Sequence, residues 1–395
     1  MALSPFTPGA IASSVPGRAR MVADYLEAAQ RMAHLQQFIP RVHVVFGPRG
    51  IGKTSLLREG QRVLESAHIR TVWLTAGPDT PLLGSLLNEL AALVGLGSRL
   101  RRRTAHQIQA ISMEIGNPLV GKVSATVTPG ESLPRTAWAR VIDAIFLALD
   151  AIESESDAGL AILVDEIQEA DDVSLRTIAY AWQELAFAGA ANRTPRAALF
   201  GVGLPGAPAH INKAVTFSER YHFERLDGLD DEGSREALAA PSGALGVRWD
   251  ERALEHAVAE AAGYPYKVQL VGDSAWREGS LRVGGAGLES GDVVTSADVR
   301  AGLPRVAQQM RVLHRSRWES ASAKQQQMLV GIARLGGWHV RRGALADLLG
   351  ADTRSISVPR QALLDKGIID ADQHGLLSFT VPGFTEFVLA KARDA

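Results

Sequence analysis

Val42-His43-Val44-Val45-Phe46-Gly47-Pro48-Arg49-Gly50-Ile51-Gly52-Lys53-Thr54-Ser55-Leu56-Leu57 is the stretch whose reading decides the fold. It contains G-x-x-x-x-G-K-[ST] between an apolar run and an apolar-periodic segment, the setting this motif requires. The run up to Phe46 predicts a buried strand, and the segment from about Lys53 predicts a helix. Glycines at 47, 50 and 52 allow backbone angles and close approaches that a Cβ would block, so the turn can aim its amides inward at an anion. The helix adds the positive end of its dipole to the same spot. Lys53 is placed to reach β and γ phosphates as a point charge, and the Thr54 hydroxyl to ligate Mg²⁺. The nucleotide-contacting set read from the loop is therefore Gly47, Pro48, Arg49, Gly50, Ile51, Gly52, Lys53, Thr54 and Ser55, with ATP and Mg²⁺ as the expected ligands.

Outward from the loop, the pattern alternates strands with helices. Ile69 to Ala76 reads as a strand and Leu82 to Val94 as a helix. The rhythm then breaks. Gly97-Ser98-Arg99-Leu100-Arg101-Arg102-Arg103 is a basic cluster, open to reading as a phosphate grip or as a solvated face, and Val120 to Val127 alternates like a hairpin strand before the turn at Thr128-Pro129-Gly130. We read residues 96–135 as an insertion. A helix from about Thr136 to Ala151 leads to Leu160-Ala161-Ile162-Leu163-Val164-Asp165-Glu166, a continuous apolar run of the kind covered on both faces in a parallel sheet. It ends in two carboxylates, and ligands in open α/β sheets bind beyond the carboxyl ends of strands. Asp165 is thus a candidate Mg²⁺ ligand and Glu166 a candidate for polarising the attacking water. A helix from Val173 to Phe187, a core strand from Arg196 to Gly203 and a short strand after Arg220 follow.

Composition sets outer limits. A chain of 395 residues with 46% hydrophobic residues can bury two or three cores, and a formal net charge of −1 provides no global field toward nucleic acid or membrane. Without cysteine there are no disulfides, thiolate zinc sites or thiol chemistry, which fits a cytoplasmic protein. The N-terminal residues lack the basic and apolar regions of a signal peptide, and no apolar run approaches the roughly 20 residues that span a bilayer.

Taken together, Gly17-Arg18, the P-loop, Asp165-Glu166, Gly203-Leu204-Pro205, Arg220 ahead of a strand and Gly263-Tyr264-Pro265-Tyr266 resemble an AAA+-type P-loop ATPase. The nearest branch is that of replication-initiator-like and signal-transduction ATPases. The resemblance implies an α/β P-loop NTPase parallel sheet of five strands, a helical lid, and a C-terminal winged-helix domain. It implies that Gly17 and Arg18 border the adenine, that Pro265 closes over the base, and that Arg220 is a finger reaching a neighbour's γ phosphate. Catalytic roles then fall to Glu166, Lys53 and Arg220. Two departures point to slow, switch-like hydrolysis: the fourth strand ends in Gly203-Leu204-Pro205 without a polar sensor, and the helix after Tyr264 offers Lys267 but no arginine in its first turn.

The domain boundaries expected are an arm over 1–15, a nucleotide-binding domain over 16–229, lid and linker over 230–318, and a winged helix over 319–395. Within the last, helices over 323–335, 342–350 and 354–365 precede a hairpin around Asp372-Gln373-His374-Gly375. If this module binds double-stranded DNA, its third helix presents Arg354, Ser355, Ser357, Arg360 and Gln361 to the major groove. Packing of the module on the nucleotide domain, with a partner protein as target, is the alternative. Assembly of a homo-oligomer is a further expectation, and a membrane partner is not.

Overall fold

The computed structural model describes residues 3–12, 14–95, 99–116, 135–153, 157–188, 194–285, 287–371 and 376–394. The expected hairpin at Val120 to Pro129 and the wing tip Asp372 to Gly375 lie outside the described residues. By internal contacts the chain forms two compact units, one comprising Arg20–Phe46 and Leu56–Arg225, the other Met1–Ala19, Gly47–Ser55 and Leu226–Ala395.

The first unit is built on five parallel strands, β1 (Val42–Phe46), β2 (Ile69–Thr75), β3 (Gly159–Asp165), β4 (Ala197–Gly203) and β5 (Tyr221–Arg225), in the order β2-β3-β4-β1-β5. This is the doubly covered sheet of a P-loop NTPase. Every residue of β3 and β4 is buried, which explains why those segments read as unbroken apolar runs rather than alternations. Helix α1 (Ala19–Ala33) turns Tyr25, Ala28, Ala29 and Met32 inward, and α2 (Lys53–Ser66) follows the loop after β1. Helix α3 (Leu82–Gly95) carries a stripe of Leu82, Leu83, Leu86, Leu87, Leu90, Ala91 and Val94 into the same core. The basic cluster does not break the chain: Arg99–Gly116 forms an 18-residue helix, α4, because Ile108 and Ile111 supply an inner face while Arg102 and Arg103 stay exposed. Helices α5 (Arg135–Glu153), α6 (Asp172–Ala188) and α7 (Ala207–Ala214) complete this unit.

In the second unit, α8 (Asp231–Gly243), β6 (Arg248–Trp249), α9 (Glu251–Ala261), α10 (Pro265–Arg282), β7 (Val293–Val294) and α11 (Ser296–Glu319) follow one another as a mainly helical segment. Helix α10 runs as far as Arg282, which is stapled to Asp298 of α11 by hydrogen bonds of 2.9 and 3.0 Å. The N-terminal arm is anchored here, since Phe6 is buried edge-on against Trp249 and Trp276, with ring centroids 6.4 and 6.5 Å away. The C-terminal module runs α12 (Ala323–Arg334), β8 (Val340–Arg341), α13 (Arg342–Leu348), α14 (Ser357–Asp365), β9 (Ile369–Asp370), β10 (Leu376–Phe379) and α15 (Phe384–Asp394). Its antiparallel sheet has the order β8-β10-β9. Three helices and a hairpin, in winged-helix order, thus enclose a core of Leu329, Ile332, Leu345, Leu363, Ile369, Leu377 and Phe384. Two elements of this module were not read from sequence, β8 and α15; a two-residue strand has no periodicity to detect.

Ile162 lies at the centre of β3 and is 1% exposed. Ile162→Ala should lower the unfolding free energy by about 2–5 kcal/mol, the range for a buried large-to-alanine change, read as a fall in the denaturant midpoint without a change in slope.

Candidate functional site

Strand register sets the geometry of the site. Phe46 pairs with Gly203 and with Arg225, Val164 with Gly201, and Thr75 with Asp165. The parallel strands β1 and β3 therefore end, with Phe46 and Asp165, at one and the same carboxyl edge of the sheet.

The loop after Phe46 turns through two left-handed residues, Gly50 at φ +80° and Gly52 at φ +96°. At Gly50 a side chain would drive into the Tyr264 ring, whereas at Gly52 a Cβ would meet nothing within 4 Å, so the backbone there faces open space. Helix α2 begins at the next residue. Lys53 is 7% exposed and folds back over the loop, its Nζ donating to the Pro48 carbonyl at 2.8 Å. Ser55 Oγ accepts from the Ala12 amide at 3.1 Å, tying the arm to the loop. A glycine backbone with open space before it, a helix N-terminus and a buried ammonium form a donor set suited to phosphate oxygens.

A chain of hydrogen bonds leads away from this loop. Tyr264 is buried, and its hydroxyl donates to the Arg49 carbonyl at 3.0 Å. Burial pushes the Tyr264 pKa up, against the charge and hydrogen bond of Arg317. Arg317, 8% exposed near the end of α11, donates through Nη1 to the Gly367 carbonyl at 2.8 Å and reaches Thr380 Oγ1 at 3.4 Å. Its Nε is buried without a hydrogen-bond partner. Burial lowers the Arg317 pKa, with Tyr264 opposing the shift and Arg49 adding to it. The loop, the start of α10, the end of α11 and the C-terminal module are thus joined by two side chains that the sequence reading left without a contact. The signal for Tyr264 was its place between Gly263 and Pro265; Arg317 carried none beyond its position in a helix.

Gly17 adopts φ +69° and packs on Gly233, and Arg18 donates to the Asp227 carbonyl. Burial lowers the Arg18 pKa, with Asp227 and Asp230 opposing. Asp230 caps α8 through the Gly233 amide at 2.7 Å. Pro265 is the first residue of α10, and it is the preceding Tyr264 that touches the P-loop.

On β3, Asp165 is 7% exposed and its Oδ1 accepts from the Glu166 amide at 2.9 Å. Glu166 sits at φ 52°, ψ 41°, a left-handed conformation unusual for a residue with a side chain. Its Oε2 accepts from Gln168 Nε2 at 2.6 Å, while Gln168 Oε1 accepts from the Leu204 amide at 2.8 Å. The apolar tip of β4 is therefore linked to Glu166 by Gln168, a polar residue the sequence reading passed over two positions downstream of the acid. Arg220 ends a short 3₁₀ turn ahead of the edge strand β5 and lies over the Phe187 ring at 5.5 Å. Lys267 is partly buried, which lowers its pKa against the pull of Glu260.

Residues 14–191 match a family profile described as an AAA ATPase domain. This segment is an AAA ATPase domain. Over this segment the resemblance read from the motifs is borne out, and the P-loop and the β3 carboxylates both fall inside it. Residues 311–388 match a domain of unknown function (DUF8462). Among solved structures, the ORC2 protein of Aeropyrum pernix in ADPNP and ADP complexes is 15% identical, with a TM-score of 0.57 over 99% of this chain and 98% of that one. Its ADP form gives a TM-score of 0.55 with the same identity and coverage. A Walker-type ATPase of Pyrococcus abyssi is also 15% identical, with a TM-score of 0.53 over 98% of this chain and 99% of that one. The whole chain thus shares a fold with these proteins. No curated protein matches the sequence significantly. No described helix is long and apolar enough to cross a membrane.

In the C-terminal module, Arg354 and Ser355 precede α14 rather than opening it, their amides bonded to Asp352 Oδ1 at 2.7 and 2.8 Å. Arg354, Ser355 and Gln361 are exposed, and Gln361 donates to Asp365 at 2.9 Å. Ser357 Oγ accepts from Arg342 at 2.6 Å and donates to the Thr353 carbonyl at 3.0 Å. Arg360 is half-buried, and burial followed by the charge of Arg342 lowers its pKa.

The strain at Glu166 is measurable. Glu166→Ala and Glu166→Gly both delete the carboxylate, and the glycine variant should be the more stable by about 1 kcal/mol, because only alanine keeps the left-handed penalty. Paired thermal melts compare them.

Proposed function

We propose that this protein binds ATP with Mg²⁺ at Gly47–Ser55, hydrolyses it slowly, and uses the nucleotide state to control its C-terminal module on double-stranded DNA. The observation that carries the reading is the loop itself, with left-handed Gly50 packed under Tyr264, left-handed Gly52 facing open space, and Lys53 buried across it. The adenine nucleotides named for the ORC2 structures support ATP as the ligand.

In this reading the amides of residues 47–52 and the Lys53 ammonium hold the β and γ phosphates, and Thr54 and Asp165 are the Mg²⁺ ligands. Bound Mg²⁺ supplies charge neutralisation on the phosphate oxygens. Glu166 orients the attacking water, and Gln168 fixes the direction of its carboxylate. Gly17 and Arg18 border the base and Pro265 closes over it. Arg220, beside an edge strand, is the group offered to a neighbouring protomer in a homo-oligomer. The slow rate follows from the apolar β4 tip and from Lys267 standing where an arginine would be more strongly charged and bidentate.

Arg354, Ser355, Ser357, Arg360 and Gln361 would meet DNA, the first two and Gln361 through free surface. A second reading is favoured by the chain Arg49–Tyr264–Arg317–Gly367: a regulatory ATPase whose C-terminal module is held by the nucleotide loop and whose partner is a protein.

Lys53→Ala should abolish ATP binding in calorimetry, whereas Glu166→Gln should bind ATP normally and lose phosphate release in single-turnover assays; full turnover by either variant would overturn the site. Duplex DNA affinity separates the two readings. A fall of about a thousandfold or more between 50 and 200 mM salt reports six or more phosphate contacts and supports the DNA switch, while no binding at low salt leaves the protein-directed reading.

A further inference from the structure

A second cluster of ligating side chains lies at the opposite end of β1 from the nucleotide loop. His43 and His222 are registered partners on the adjacent parallel strands β1 and β5, so both imidazoles project from the same face of the sheet, with ring centroids 5.2 Å apart. Asp24 of α1 completes the group, and one ligand atom from each of the three lies within 4.8 Å of the others. Among the described residues, none of these three side chains forms a hydrogen bond or an ion pair, although all are half-buried.

The surroundings are those of a built site. The three groups open into a small recess of about 10 Å³, walled by Met21, Tyr25, Val45 and Phe200, a volume that suits one ordered water or ion. Tyr25 is locked in that wall, buried against Phe200 at a centroid distance of 4.4 Å. Glu224, two residues after His222 and therefore on the same face of β5, also lines the recess and meets exposed Arg20 at 4.0 Å. Glu27 and Arg41 act on His43 from outside. Three carboxylates against two guanidiniums leave the neighbourhood net negative before any ion is counted.

We propose that Asp24, His43 and His222 form a structural transition-metal site, with Zn²⁺ the ion they suit best. Two imidazole nitrogens and one carboxylate oxygen are a borderline donor set that favours Zn²⁺ over Mg²⁺ or Ca²⁺. Tetrahedral zinc needs donor atoms roughly 3.4 Å apart, given bonds of about 2.0–2.1 Å. The three donors lie within 4.8 Å of one another and close to that spacing on binding the ion. The fourth position faces the recess, where water or Glu224 completes the shell. The ion cross-links α1 to two neighbouring strands. It is distinct from the ion expected with the nucleotide, because His43 is three residues before Phe46, or about 10 Å up the strand.

The test uses the full chain, stripped with chelator and free of nucleotide. Titration with Co²⁺ should develop a tetrahedral visible absorption that saturates at one ion per chain and is displaced by Zn²⁺, and Zn²⁺ should raise the melting temperature with the same stoichiometry. His222→Ala and Asp24→Asn should each weaken Zn²⁺ binding by about 100-fold or more, taking the loss above that of an outer-shell partner, and should abolish the melting shift while far-UV circular dichroism stays native. His256→Ala, at a separate surface pair with Glu260, and Lys53→Ala should bind Zn²⁺ as the wild type does. If the wild type takes up no stoichiometric ion, or if either ligand variant retains wild-type affinity, the site is refuted. Asp24→Asn keeps the test decisive should His222→Ala fail to fold.

Discussion

The structure depends on one backbone constraint: the chain must leave a buried strand at Phe46 and enter a helix at Lys53 within six residues. It manages this only by passing through left-handed angles at Gly50 and Gly52, which leaves consecutive amides without the partners that strand or helix would offer. Burying Lys53 over that turn adds a positive charge to an already electropositive concavity. An uncompensated charge in such a place is costly, so the arrangement is stable to the extent that carbonyls such as Pro48 and an incoming anion satisfy it. Ligand binding and local stability are in this sense one property of the loop.

What happens at the loop is felt elsewhere through few contacts. Arg49 has its carbonyl held by Tyr264, and Tyr264 answers to Arg317, which is itself buried with one nitrogen unsatisfied. Gly367 and Thr380 accept from the same guanidinium, so the C-terminal module is in direct line with any movement of the loop. The DNA-directed and protein-directed readings share this linkage and differ only in what the module touches.

The sheet serves two ends differently. Its carboxyl edge presents Asp165 and a strained Glu166 directed by Gln168. Toward its amino side, β1 and β5 bring two histidines under α1. Both placements follow from the order β2-β3-β4-β1-β5, in which β1 is flanked by β4 and by the edge strand β5.

The five strands, their parallel sense and the loop were legible because each imposes a local pattern: an unbroken apolar run for a strand covered twice, glycines where a Cβ cannot stand, and a carboxylate pair at a strand end. The motif resemblance extended this to the AAA ATPase domain. Pattern misled at Arg99–Gly116, where charge density hid the inner face of Ile108 and Ile111. Gln168, Tyr264, Arg317 and the trio Asp24, His43 and His222 owe their significance to partners distant in sequence, from 19 residues away for Asp24 and His43 to 215 for Tyr264 and Arg49, brought together by strand pairing and burial. Residue type and spacing determine which backbone conformations a segment can adopt, so the sequence alone settled the P-loop and the sheet. Which side chains then meet depends on how those elements pack, and that only the tertiary structure decided.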